Sequence, residues 1–244
     1  MKHFTSILTL GVALSAAALA AEQDCKDLPS AAQLKAHLNN LNSVSSEIGG
    51  TIGGLFNGAR MWAAVVNRNG EVCAVAASTN DPTQVWPGSQ AIAKAKAYTA
   101  NAFSLDDFAL STARLYTFTQ PGHSLWSLGQ SNLFDPSKLA APGDANKEPG
   151  KIAGGLIFFG GGVPLYRNGK IAGGLGISGD TSCADHEVAK RVRALAAMNP
   201  AGGAKADDIK YSAADGAGPF THPLCINTYR NGDALGTEAN SSGY

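Results

Sequence analysis

The chemistry open to this chain rests on a few histidines, lysines, hydroxyl residues and cysteines. His123, His186 and His222 each stand beside turn residues or at a helix start, where an imidazole can act as a metal ligand. None belongs to an HExxH or HxH signature, and each has a plainer reading as a hydrogen-bonded structural or surface histidine. Lys94 and Lys96 lie on an alanine-rich stretch that can point one of them into a pocket. Gly176-Ile177-Ser178-Gly179-Asp180 comes near the G-x-S-x-G elbow, but Asp180 replaces the last glycine, so a serine hydrolase is not supported. Gly174 to Gly179 satisfies G-x-G-x-x-G, yet its strand is the return half of a hairpin, with no β-α-β unit around it and no acidic residue placed to hold a ribose. A milder reading survives. The helix starting near Ser182 presents Asp180, Thr181 and Ser182 at its N-terminus, where backbone donors can meet a carboxylate or propionate.

The four cysteines, Cys25, Cys73, Cys183 and Cys225, form no CxxC knuckle and no CxxCH motif, which argues against structural zinc and against covalently attached haem. Four cysteines allow three connectivities. We expect Cys25 with Cys73 and Cys183 with Cys225, since each bond would tie a chain terminus to the body, and the second would bring Asp185, His186 and His222 near one another. Met1-Lys2-His3, an apolar run from Phe4 to Leu14 and small residues from Ser15 to Ala21 have the order of a secretory signal, with cleavage expected after Ala20. The apolar run is too short to span a bilayer. Export to a periplasmic or extracellular compartment agrees with an even cysteine count. The 244 residues carry 19 Lys+Arg and 19 Asp+Glu, and removing residues 1–20 takes away Lys2 alone, so neither nucleic acid nor an anionic membrane is an expected partner.

The elements that must position these residues follow from capping and periodicity. Ser30 and Gln33 form a capping box opening a helix from about Ala31 to Leu41. Met61 to Val66 and Glu71 to Ala76 read as two strands joined at Asn69-Gly70. Alanines at 91, 93, 95, 97, 100 and 102 make the helix Gln90 to Phe103 thin enough to pack closely on a sheet. Ser104 to Asp107 reads as a further capping box, starting a helix to about Leu115, and residues 119–151 as a long ordered loop. Gly154 to Phe159 reads as a buried strand, Gly160 to Gly162 as a break, Val163 to Tyr166 and Lys170 to Ile177 as a second hairpin, and Ser182 to about 198 as the last clear helix. Residues 200–244 are expected to wrap the surface, pinned by Cys225. This order is that of one α+β domain on a mostly antiparallel sheet, occupying residues 21–244 after the signal peptide.

The run Gly160 to Asp180, with Gly161-Gly162-Val163-Pro164 and Gly173-Gly174-Leu175-Gly176-Ile177-Ser178-Gly179, resembles the glycine signature of the GlcG/HbpS haem-binding-like family. Lys96-Ala97-Tyr98-Thr99-Ala100 is similar to that family's KA-x-TA helix. The resemblance covers about residues 60–198 and points to a longer exported branch, with a loop insertion at about 119–151 and a disulfide-tied C-terminal extension over 200–244. It implies a five-stranded mostly antiparallel sheet flanked by helices, a homo-oligomer, and for some members noncovalent, b-type haem. The iron ligand is left open among His123, His186, His222 and Tyr166. On this reading the chain is a binding protein whose pocket lies between helix 90–103, the 160–162 break and the start of helix 182–198. Gly161 and Gly162 would permit close approach of haem or a related tetrapyrrole, while Lys96, Thr99 and the amides of Asp180 to Ser182 would receive its acidic groups. The alternative is an enzyme or sensor of a small organic acid, with Lys96 holding the anion and His186 moving a proton. A structural oligomeric module without a ligand is the plainest reading.

Overall fold

The computed structural model describes residues 25–135, 137 and 151–238; the expected signal peptide and most of the second half of the 119–151 loop lie outside them. Ser30 accepts from the Gln33 amide and the Gln33 side chain returns to the Ser30 backbone, so the expected capping box opens α1 (Ala31–Leu38). β1 (Trp62–Asn67) and β2 (Glu71–Ala77) form the first hairpin, followed by α2 (Ser89–Ala102). β3 (Lys151–Ile152), β4 (Gly162–Arg167) and β5 (Lys170–Ser178) precede α3 (Ser182–Leu195). The sheet order is β3-β2-β1-β5-β4, antiparallel throughout. Four strands are long, and the two-residue β3 completes the fifth position. Among the described residues, no helix is long and apolar enough to cross a membrane.

Strand alternation assigns the two faces. Trp62, Ala64, Val66 and Val75 join Ala93 and Ala97 of α2 in one buried cluster, while Ala63, Val65, Leu175 and Ile177 join Leu34 of α1 and Val188 and Val192 of α3 in the other. Because helices cover both faces, β1 is buried along its whole length instead of alternating with solvent. The glycine-rich signature has a packing reason: a Cβ on Gly176 would collide with the Ala93 carbonyl of α2, so α2 lies against β5 at backbone distance.

Two expected elements are corrected. No helix occupies 104–111. The Ser104 hydroxyl closes a loop by bonding both the amide and the carbonyl of Leu110, and only a 3-10 turn follows at Thr112–Leu115. Asp106 instead accepts from the Ile171 amide and Lys170, tying the β4–β5 hairpin, so long-range contacts override the local capping pattern. Nor is 154–159 a strand. Gly154 and Gly155 are left-handed (φ 68° and 81°), the Ile157 amide donates to Thr99 Oγ1 and the Phe159 carbonyl accepts from Thr112 Oγ1. α1 and α3 end earlier than expected, at Leu38 and Leu195.

The C-terminal extension has its own small core. β6 (Lys210–Tyr211) pairs parallel with β7 (Thr221–His222), the short α4 (Ser212–Asp215) lies between them, and β8 (Thr228–Arg230) and β9 (Asp233–Gly236) make a hairpin. Ile209, Tyr211 and Leu224 pack with Ala113, Cys183 and Cys225. Buried ion pairs dock the segment leading into it: Lys190 of α3 lies 2.9 Å from Asp208, and Arg193 lies 2.6 Å from Asp207. Both expected disulfides are present, Cys25–Cys73 and Cys183–Cys225.

Candidate functional site

The face expected to be an open pocket is largely filled by the protein itself. Lys96 is fully buried, its ammonium 2.7 Å from Asp185 Oδ2 and 3.1 Å from the Ile177 carbonyl, with the Phe159 ring 5.1 Å away. Burial draws the lysine pKa down, and the Asp185 charge opposes that; burial also pushes Asp185 up to about 6 despite Lys96. Thr99 donates to the Ala95 carbonyl and accepts from Ile157. Gly161 (φ 114°) leaves no room for a Cβ, which would stand 2.7 Å from Lys96 Nζ; on Gly162 it would meet the Thr112 side chain. These glycines pack closely against α2, Thr112 and Ile177, and neither is on the wall of the cleft described below.

The α3 N-terminus is likewise occupied. Asp180 accepts from the amides of Leu55 and Phe56, each at 2.7 Å, and Thr181 caps the helix by accepting from Ala184. His186 is 1% exposed, with Nε2 3.2 Å from the Ile209 amide and 3.4 Å from Asp208; Nδ1 has no hydrogen-bond partner among the described residues. Lys96 and His186, the pair expected to serve an organic acid, are therefore each sealed against a different protein partner. His123 lies exposed in the 119–135 loop. Tyr166 is buried and donates to the Leu105 carbonyl at 2.6 Å.

A cleft does open beside the one candidate histidine that the extension supplies. It measures about 330 Å³ and is lined by Tyr116 and Phe159, by Thr181 and Ser182 at the start of α3, and by His222, Pro223, Leu224, Cys225, Ile226 and Glu238. The Cys183–Cys225 bond holds this segment in place, and His222 Nε2 comes to 3.4 Å from Ser182 Oγ, a neighbour the sequence did not announce; Asp185 and His186, the residues expected beside His222, are engaged by Lys96 and by Ile209 and Asp208. His222 is held neutral, its pKa lowered to about 4 chiefly by burial. Its Nδ1 lies 2.7 Å from the Pro223 carbonyl, which can only accept, so the proton is on Nδ1 and the lone pair is on Nε2. Among the described residues, Nε2 accepts one long hydrogen bond from the Gly160 amide at 3.4 Å and lies 3.4 Å from Ser182 Oγ, and the Tyr116 ring packs on the imidazole at 4.9 Å. A neutral imidazole fixed by a carbonyl on one nitrogen and lightly engaged on the other is the form that ligates a metal centre. The cleft wall is mainly apolar and carries Glu238, so it suits an apolar ligand better than a small polyanion.

Sequence reasoning missed Asp185 as the partner of Lys96, and missed Tyr116, Phe159 and Ile226 as cleft walls. Only the cysteine pairing could have signalled the meeting of 181–182 with 222–226, because those residues lie about 40 positions apart and share no local pattern.

No curated protein sequence matches the chain. Among solved structures, the chain is similar to PduOC crystallised as a heme complex (24% identity over 57% of this chain and 80% of that one, TM-score 0.41). It is also similar to the Klebsiella pneumoniae protein ORFY (19%, 81% and 97%, TM-score 0.43) and to HbpS (18%, 80% and 98%, TM-score 0.41). The model of the family described as haem degrading protein, HbpS-like, matches residues 55–194, the segment that builds the central sheet, α2 and nearly all of α3. By that match over more than half its length, the chain belongs to the HbpS-like family.

Proposed function

We propose that the mature chain is an exported binding protein that holds haem or a related tetrapyrrole noncovalently in the cleft under its C-terminal extension, with His222 Nε2 as the iron ligand. The observation that carries this reading is the neutral, buried His222, its Nδ1–H committed to Pro223 and its lone pair beside an apolar cleft. Family membership supports the ligand class. At about 330 Å³ the cleft sits at the low end of ligand pockets, so it would grip part of the macrocycle between Tyr116, Phe159 and Leu224, with the half-exposed Ile226 along the remainder. The Thr181 and Ser182 hydroxyls on its wall would be donors for a propionate. When bound, haem would supply an iron centre; the protein's part is to fix one axial nitrogen, keep it unprotonated and exclude water from it.

Two disulfides support maturation in an oxidising compartment, in line with the N-terminal signal pattern. We also expect self-association, which light scattering on the purified chain checks: a mass that is a multiple of the chain supports it and a monomer overturns it. Titration of the oxidised mature protein with hemin tests the main reading. A Soret shift saturating near one equivalent per chain or per dimer, weakened at least about tenfold in His222→Ala and unchanged in His123→Ala, is the expected result. A featureless titration, or one indifferent to His222→Ala, overturns it.

A further inference from the structure

The Cys183–Cys225 bond is surrounded by more chemistry than a staple needs. Cys225 Sγ accepts from the Cys183 amide at 3.2 Å and stands 3.3 Å from Ser182 Oγ, at the N-terminal end of α3. That position stabilises negative charge, so on reduction these donors would favour a thiolate on Cys225. The ligand atoms of Cys183, His222 and Cys225 all lie within 4.8 Å of one another. Cys225 and His222 both line the cleft, which gives a route in from solvent.

We infer that reducing Cys183–Cys225 converts this corner of the cleft into a binding site for a thiophilic divalent cation of the zinc class, held by Cys183 Sγ, Cys225 Sγ and His222 Nε2. The conversion is balanced: a dithiol reductant gives two electrons and two protons to the bond, becoming a disulfide itself, and leaves two cysteine thiols that lose their protons when the metal binds. In a tetrahedral site with zinc–sulfur distances of about 2.3 Å and zinc–nitrogen of about 2.1 Å, ligand atoms stand roughly 3.5 Å apart, so donors already within 4.8 Å need only side-chain rotation. Three protein ligands leave the fourth position open toward the cleft, where water or Glu238 on its wall can enter. His222 suits the role because its Nδ1–H is already fixed on the Pro223 carbonyl. No CxxC spacing announces the site, since its ligands come from α3 and from β7 and the turn after it, and only the fold unites them. The inference does not depend on haem binding.

Cobalt(II) added to the haem-free mature protein, oxidised or reduced with a phosphine, tests it. The reduced protein should bind about one cobalt per chain with thiolate-to-cobalt charge-transfer absorption that zinc abolishes, and the oxidised protein should show none. His222→Ala should weaken binding at least about tenfold, while Cys25→Ser/Cys73→Ser should leave it unchanged. No charge-transfer band on reduction, or a band indifferent to His222→Ala, overturns the inference. If reduction unfolds the chain, zinc must restore its near-ultraviolet circular dichroism in the wild-type sequence and fail to do so in His222→Ala, because site formation and folding are then one equilibrium. Failure of zinc to restore it also overturns the inference. Loss of hemin binding with cobalt binding intact would sink the haem reading alone.

Discussion

Lys96→Met is the most informative perturbation of the core beneath the cleft. It removes the ammonium 2.7 Å from Asp185, where the two side chains are 0% and 3% exposed. Among the described residues, the carboxylate would keep the Asp180 amide, at 2.9 Å, as its one hydrogen-bond donor. Two unit charges at that separation attract by about 6 kcal/mol at an effective dielectric of 20, and desolvation offsets much of it. The relevant cost is that of stranding a buried carboxylate, about 3–5 kcal/mol. Asp185→Asn strands the buried ammonium at a similar cost of about 3–5 kcal/mol, whereas Lys96→Met/Asp185→Asn strands no charge and keeps an acceptor for Asp180, so it should lie within about 2 kcal/mol of wild type and the coupling energy should reach about 4 kcal/mol. The sign with pH follows from Asp185, whose pKa is already pushed up to about 6 by burial. A carboxyl raised above its ordinary value contributes its stability at low pH and loses it as pH rises through the folded value, so the Lys96→Met penalty should be larger at pH 8 than at pH 5. Urea denaturation of the oxidised single and double variants at both pH values measures this. A single-variant cost below about 1 kcal/mol, or strictly additive costs, would refute the reasoning. The double variant should still bind hemin, since the pair lies behind the cleft and not in it.

Other consequences follow from the same geometry. His222, with a folded pKa near 4 against the ordinary 6.5, stabilises the protein above pH 6.5 and loses that contribution as pH falls toward 4, by about 3 kcal/mol; subtracting the stability curve of His222→Gln from that of wild type should isolate this window. Cys183→Ser/Cys225→Ser opens a loop spanning 42 positions, for which chain entropy gives about 4 kcal/mol; unfolding should show a loss of that order together with weaker hemin binding. Gly176→Ala should cost more than the usual helix or strand glycine substitution, at least about 3 kcal/mol, because the new methyl meets the Ala93 carbonyl; a loss under 1 kcal/mol in thermal denaturation would show that α2 can move away. Mass spectrometry of the exported protein should find Ala21 at its N-terminus.

The sheet and its helices were legible because their signals are local. The Ser30 to Gln33 box opens α1 as written, Asn168 and Gly169 take the left-handed conformations the hairpin turn demands, and the spaced alanines of α2 meet the glycines of β5. The disulfide pairing was also legible, and it ties the segment carrying His222 to the start of α3. What the sequence hid is set by distant partners. Asp106 looks like part of a helix start until the β4–β5 hairpin claims its side chain. Lys96 looks like a hand extended to an anion until Asp185, one turn into α3, turns out to be that anion. The extension moved the candidate site. By covering the α3 N-terminus it sealed His186 against Ile209 and Asp208, and it brought its own histidine to the cleft that remained.

Iron-edge anomalous diffraction from crystals of the oxidised protein grown with hemin tests the central claim most directly. One anomalous peak is expected within coordination distance of His222 Nε2, with the macrocycle against Tyr116 and Phe159. A peak at His123, on the face of α2 or at a surface site remote from His222 would contradict it.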